Sequence, residues 1–264
     1  MYLLKLLYDK YIYFFETNSD PRMNDKFLMG SPIPVLIFIF LYLKFVLDWG
    51  QKFMKDRKPF EVDRLIILYN IIQIAWNLEL FIKAFRYTYG LGGYSFTCQP
   101  VDTSTSGSAM IIADGVHSYV LIKFFDCLDT VFFVLRKKNK QITFLHVYHH
   151  AGVLALAWSA CKVYPGGQTV FTGFLNTFIH VIMYSYYLYA VLNPNEKNIW
   201  WKKYLTQMQI VQFFLICACF TALIIVPDCG YPKWGAIFVV PQNLFLMIMF
   251  TDFYIKSYYR RKTN

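Results

Sequence analysis

The chain has 264 residues, of which 57% are hydrophobic, 20% aromatic and 16% charged, with a formal net charge of +10. So much apolar surface with so few charged side chains excludes a water-exposed globule. The positive charge does not point to nucleic acid either, because the basic residues sit at the ends of long apolar runs.

In chain order, residues 1–30 begin MYLLKLLYDKYIYFFET, an apolar run broken at Lys5, Asp9 and Lys10 with no small-residue cleavage site behind it. This reads as an amphipathic segment in the membrane interface, or as a plain lead-in to the first span, and not as a cleavable signal. Seven predominantly apolar stretches follow, at 32–47, 62–83, 109–135, 143–161, 169–192, 204–226 and 235–257. The expectation is an all-α polytopic membrane bundle of seven transmembrane helices, one domain over 1–264, with 1–30 as an interfacial N-terminal segment. VDTSTSGS at 101–108 is a polar loop leading into the third span.

The odd-numbered loops and the tail carry 15 basic residues: Lys52, Lys55, Arg57, Lys58, Arg136, Lys137, Lys138, Lys140, Lys197, Lys202, Lys203, Lys256, Arg260, Arg261 and Lys262. The even-numbered loops carry only Lys83, Arg86, Lys162 and Lys233. The positive-inside rule therefore places the odd loops and the C-terminus in the cytosol and the N-terminus on the far side. Lys5, Lys10, Arg22 and Lys26 run against that assignment. Cys98 in loop two and Cys229 in loop six share the far side, where an oxidising lumen would join them; free thiols are the alternative. The basic tail RRKTN is compatible with retrieval to the endoplasmic reticulum.

Polar groups inside the spans carry the functional signal. The third span holds His117, Lys123, Asp126 and Asp129; the fourth His146, His149 and His150; the fifth Asn176 and His180; the sixth Thr206, Gln209 and Gln212. A charged group at mid-membrane costs roughly 2.5–3.5 kcal/mol, so such residues face the bundle interior and are functional by default. Counted at about 1.5 Å per helical residue, the groups on all four spans fall in one slab of the cytosolic half. His146, His149 and His150 lie at i, i+3 and i+4 on a narrow arc, and Lys123, Asp126 and Thr130 repeat that pattern, so Lys123 and Asp126 can pair. Asn176 and His180 continue a stripe to Tyr184 and Tyr187. The picture is a polar pocket opening to the cytosol, its mouth lined by Arg136, Lys137, Lys138, Lys202 and Lys203. That mouth suits a phosphate-bearing anion, or is ordinary positive-inside charge.

KFFDCLDT from Lys123, LRKK from Leu135, HVYHH from His146, NTFIHVIMYSYY from Asn176 and TQMQIVQ from Thr206 together resemble the very-long-chain fatty acid elongases. DPR at 20–22 also looks like that family's start, while Asp126 stands where the family has glutamate. The resemblance implies a seven-helix 3-oxoacyl-CoA synthase of the endoplasmic reticulum. Such an enzyme condenses acyl-CoA with malonyl-CoA to 3-oxoacyl-CoA, CO2 and CoA, with no cofactor and no metal. It further implies His149 as the nucleophile that carries the acyl group and His150 and His180 as bases or hydrogen-bond partners. His146 would position them, with Lys123, Asp126 and Asn176 completing the catalytic set. Cysteine is the usual nucleophile of soluble condensing enzymes, but Cys127, beside Asp126, lies on a different face. Arg136, Lys137, Lys138, Lys202 and Lys203 would hold the phosphates of CoA, and Tyr184, Tyr187, Gln209 and Gln212 would line the substrate path. The acyl chain would run from the histidines toward the lumen. His117, without a counterpart, is expected to be structural. Partners would be acyl-CoA, malonyl-CoA and membrane lipid, with no nucleic acid; a homo-oligomer and assembly with other enzymes of the elongation cycle are open. HxxHH also suits a membrane di-iron oxidase, for which five histidines are too few. Seven helices also suit a receptor or transporter, which has little use for four level histidines beside a basic mouth.

Overall fold

A computed structural model of the chain describes residues 2–196 and 199–259. Lys197, Arg260, Arg261, Lys262 and the whole RRKTN tail lie outside the described residues. Described residues form helices and no strands. An N-terminal helix α1 (Tyr2–Asn18) precedes α2 (Ile33–Lys44), which runs through a π turn at Phe45–Trp49 into α3 (Gly50–Met54). Then come α4 (Asp63–Tyr87), α5 (Gly107–Asp126), α6 (Leu128–Leu135), α7 (Phe144–Val163), α8 (Thr169–Leu192), α9 (Lys202–Ile225) and α10 (Trp234–Tyr258).

Local chemistry sets several of these ends. Ser106 caps α5 by accepting from the Ala109 amide, and Thr143 caps α7 by accepting from the His146 amide. Gly166 and Gly167, at φ +155° and +60°, make the turn between α7 and α8. A Cβ on Gly167 would stand 2.7 Å from the Gln99 carbonyl oxygen, so this turn needs glycine twice over. The third expected span, 109–135, is not one uninterrupted helix. At Cys127 the amide bonds the Phe124 carbonyl, three residues back, and this tightened turn separates α5 from α6. The first span's helix likewise does not stop at 47 but winds on to Met54.

Among the described residues, five continuous helices are long and apolar enough to cross a membrane: Ile33–Met54, α4, α8, α9 and α10. The protein is therefore a multi-pass membrane protein. Neither α5, which carries Lys123 and Asp126, nor α7, which carries His146, His149 and His150, is among these five. Their packing is nevertheless continuous with the rest. α4 packs on α5, α5 on α7, α7 on α10, α10 on α9, α9 on α8, and α8 returns to α4. This closes a ring of six helices, with α2 outside it against α7 and α3 against α6. A Cβ on Gly50 would meet Val134 at 2.9 Å, so glycine sets how closely α3 and α6 approach. Leu36, Ile37 and Phe40 of α2 and Ile237 and Ile248 of α10 are exposed, as hydrocarbon surroundings require.

The two ends of the ring differ. One carries the α3–α4, α6–α7 and α8–α9 connections with most of the basic residues, and is called the basic end below. At the opposite end, Cys98 and Cys229 form a disulfide with Cα atoms 5.8 Å apart. Beside it Gln168 is fully buried, accepting from the Gln99 amide at 2.8 Å and donating through Nε2 to Phe96 O at 3.0 Å. The N-terminal segment joins this cap through the Asp20 amide, bonded to Lys162 O at 2.9 Å. Arg22 pairs with Asp20 at 2.7 Å and donates to the carbonyls of Asp102 and Ser104, while Lys26 pairs with Asp114 at 2.7 Å. Two of the cations that run against the charge asymmetry are thus offset by local acceptors.

Candidate active site

The polar centre is built on one buried ion pair. Lys123 and Asp126, three residues apart on α5, are 3% and 2% exposed, and Nζ lies 2.7 Å from Oδ2. Burying two charges is tolerable only when every remaining donor and acceptor is met. Lys123 also donates to Asn176 Oδ1 on α8 at 2.8 Å, and His180 Nδ1 lies 3.5 Å from its Nζ and 3.6 Å from Asp126 Oδ2. The second oxygen of Asp126 accepts from Gln73 Nε2 on α4 at 2.8 Å and from Tyr184 OH on α8 at 2.9 Å. An aspartate thus reaches three helices' worth of partners without the extra methylene of glutamate. Tyr184 OH also lies 3.1 Å from Asp129 Oδ2 and 3.3 Å from Tyr69 OH. Tyr119 donates to Asn176 Oδ1 at 3.0 Å and places its ring 4.7 Å from the Lys123 ammonium, a cation–π contact.

The imidazoles of α7 form a second group. His146 Nε2 is 3.0 Å from Thr130 Oγ1, which is 2.8 Å from Tyr42 OH. The ring centroids of His146 and His150 are 4.4 Å apart, and those of His149 and His150 5.6 Å. His149 packs edge-on against Phe213 and Phe250, and its Nδ1 is buried with no hydrogen-bond partner among the described residues.

His149 forms part of the wall of an elongated cavity of about 360 Å³, to which all six helices of the ring contribute. Its polar head is made by His149, Asn176, Gln212, Gln242 and Asn243; from there apolar walls lead to Thr88, Tyr164, Thr169, Tyr231 and Trp234 at the disulfide end. Phe14 and Phe15 of α1 close part of the wall. Of the imidazoles only His149 reaches this lining; His146, His150 and His180 stand behind it.

The cavity does not run toward the expected opening. None of Arg136, Lys137, Lys138, Lys202 and Lys203 lines it, and it extends away from the basic end. The reason is packing: Ile66, Tyr69, Phe132, Ile179, Met183, Tyr184 and Leu205 form a buried cluster that fills the ring near its basic end. Two basic residues are also engaged elsewhere, Arg136 with Asp63 at 3.2 Å and Lys137 with the Lys55 carbonyl at 2.9 Å. Lys138, Lys202 and Lys203 are exposed, Lys203 lying 4.8 Å from the Tyr204 ring. Tyr187 packs edge-on against Tyr184 behind the polar centre, and Gln209 Nε2 contacts Met183 Sδ at 3.7 Å. Gln212 is the one of the two glutamines that reaches the cavity. His117 is apart from the other imidazoles, its Nε2 2.9 Å from the Phe27 carbonyl. Cys127 is buried, with Sγ 3.6 Å from the Lys123 carbonyl. Among the described residues no group of three or more histidine, cysteine or acidic side chains has the arrangement of a metal-ligand set.

Sequence reasoning missed Tyr69, Gln73, Tyr119, Tyr148 and Gln242. A signal for Gln73 was present, since Asn70, Gln73 and Asn77 form a buried polar stripe along α4 at helical spacing.

Fold and site together define a class: a multi-pass membrane protein whose helical ring encloses a long apolar chamber with an imidazole-bearing polar head. Residues 27–264 match the family described as ELO: GNS1/SUR4, and the chain belongs to that family. It is 39% identical to very long chain fatty acid elongase 7 of Drosophila melanogaster, over 98% of this chain and 78% of the relative. It is 43% identical to human very long chain fatty acid elongase 4, over 91% of this chain and 76% of the relative. To mouse very long chain fatty acid elongase 2 it is 38% identical, over 92% of this chain and 82% of the relative.

Proposed function

We propose that this protein is a condensing enzyme of fatty acid elongation, joining a long-chain acyl-CoA with malonyl-CoA to give 3-oxoacyl-CoA, CO2 and CoA. The observation that carries the reading is a single one: His149 stands at the polar head of a long apolar chamber with its Nδ1 unpartnered. Membership of the family and the printed names of the relatives support it.

In this mechanism a nitrogen lone pair of His149 attacks the thioester carbonyl. The carbon–sulfur bond breaks, and the departing CoA thiolate takes the imidazole proton, leaving an acyl-imidazole. Malonyl-CoA then loses CO2; the electron pair of the broken bond becomes an enolate, whose carbon bonds the acyl carbon. The carbon–nitrogen bond breaks and His149 regains one proton from water. His150 and His180 serve as base or hydrogen-bond partners and His146 positions them, tied to Thr130. Lys123, Asp126 and Asn176 hold positive charge and donors near the developing enolate. Tyr184, Tyr187, Gln209 and Gln212 shape the path, and the acyl chain occupies the apolar chamber. Arg136, Lys137, Lys138, Lys202 and Lys203 bind the phosphates of CoA at the basic end. Since the cluster around Tyr69 and Leu205 fills that end, loading requires those side chains to part.

The same reading takes α5–α6 and α7 as crossing helices, giving seven spans in one membrane domain over residues 1–264, with residues 1–30 at the interface. The protein resides in the endoplasmic reticulum with its N-terminus lumenal and C-terminus cytosolic. It needs no cofactor or metal, and its surroundings are lipid and the other enzymes of the cycle.

Membranes carrying the chain are expected to incorporate labelled malonyl-CoA carbon into longer acyl products. His149→Ala is expected to abolish incorporation while the protein still inserts. Full activity in His149→Ala would overturn the nucleophile assignment, and an inactive parent chain would overturn the function.

A further inference from the structure

We propose that Gln242 on α10 is a catalytic residue: its Nε2 donates the hydrogen bond that receives the acyl carbonyl oxygen as charge develops on it at His149. The proposal rests on the acyl-transfer reading above. Gln242 lines the cavity with His149, and its Nε2 is buried without a partner among the described residues. Its other amide atom is occupied: Oε1 accepts from Tyr148 OH at 2.5 Å. That bond decides which way the amide faces, because the carbonyl side is taken and the NH2 side is left for the chamber. Tyr148 is itself held, stacked on Phe144 and edge-on to Phe245.

The position of the donor follows from a glycine. A Cβ at Gly152 would stand 3.1 Å from Gln242 Nε2, so α7 needs glycine there to let the amide approach. Gly152 lies three residues after His149, hence on the same face of α7 with about 5–6 Å between the two Cβ positions. The amide and the imidazole thus flank the same stretch of the chamber wall, the placement that a carbonyl received by both requires. Gln212 also lines the head, its Oε1 buried without a partner among the described residues. Pro241 immediately precedes Gln242 inside α10 and lacks the amide hydrogen that would bond the preceding turn, so the helix is loosened at this point.

During the step, the nitrogen–carbon bond forms and the carbonyl π pair moves onto oxygen, where the Gln242 N–H meets it. The pair then returns as the carbon–sulfur bond breaks and the thiolate leaves. The amide neither gains nor loses a proton. Such a donor, aimed in advance, is worth about 10²–10³ in kcat.

The test uses purified full-length protein, with kcat, KM for acyl-CoA, thermal unfolding, and acylation of the His149 peptide followed by mass spectrometry. Gln242→Met keeps length and volume but has no donor. It is expected to lower kcat by about 10²–10³-fold, to slow acylation equally, and to leave KM and thermal unfolding near those of the parent. A residue that only packs would not separate kcat from KM in this way. A parent protein that forms neither acyl-enzyme nor malonyl-dependent product sinks the elongase reading, and the donor with it. An active parent with an equally fast Gln242→Met overturns the donor alone, as does a loss confined to KM. Should Gln242→Met fail to fold, Tyr148→Phe carries the test. Releasing the amide carbonyl lets the side chain turn, so kcat must fall at constant KM; an unchanged kcat overturns the proposal.

Discussion

At the scale of single residues, the ammonium of Lys123 has three partners within reach, Asp126, Asn176 and His180, each on a helix of the ring. Removing it leaves the Asp126 carboxyl buried against only neutral donors. Lys123→Met is therefore expected to destabilise the protein by about 3–5 kcal/mol, read as a lowered unfolding temperature in detergent, where a surface lysine would leave it unchanged. The contact itself was legible: an i, i+3 lysine and aspartate inside an apolar run have few partners other than each other. Gln73 and Tyr184 completing the carboxylate's shell was not, because which residue of one helix faces which of another depends on rotation about both axes. Gln242 was hidden for a related reason. A lone glutamine after a proline has no periodicity, and only the closed ring brings it to His149.

Elements were legible from hydropathy where helices are almost wholly apolar, and the site was legible from the polar interruptions in α5 and α7. Periodicity also gave the common face of His146, His149 and His150. It could not give depth of access: of these three only His149 reaches the chamber wall. The direction of the chamber was equally out of reach, since it depends on the aromatic and aliphatic plug between α4, α6, α8 and α9 at the basic end. The start of α7 is a point where an element controls the site. Thr143 caps the helix through the His146 amide, so Thr143→Ala is expected to cost about 0.5–2 kcal/mol. It should also fray the turn that carries His146, visible as faster amide exchange over residues 144–147 than elsewhere in α7.

For the whole molecule, closure is the main determinant. Six helices surround one chamber, and covalent closure is added at one end by Cys98 and Cys229, which are 131 residues apart in sequence. A loop of that length gives an upper bound of about 5 kcal/mol from the entropy removed from the unfolded chain. Cys229→Ser is expected to lower thermal stability by up to that amount and to have little effect on acylation of His149, because the polar head lies at the other end of the chamber. Equal loss of both would show that the cap shapes the head after all.

That bridge also sets an order of events during synthesis. Cys98 emerges before α5, while its partner emerges only after α9, so the first thiol must wait until α5–α6, α7, α8 and α9 have been made. Oxidation is thus a timestamp for completed assembly. Pulse-labelled chains run without reductant should shift to the faster-migrating form only after translation has passed Cys229, and chains stalled earlier should stay open to thiol reagents at Cys98.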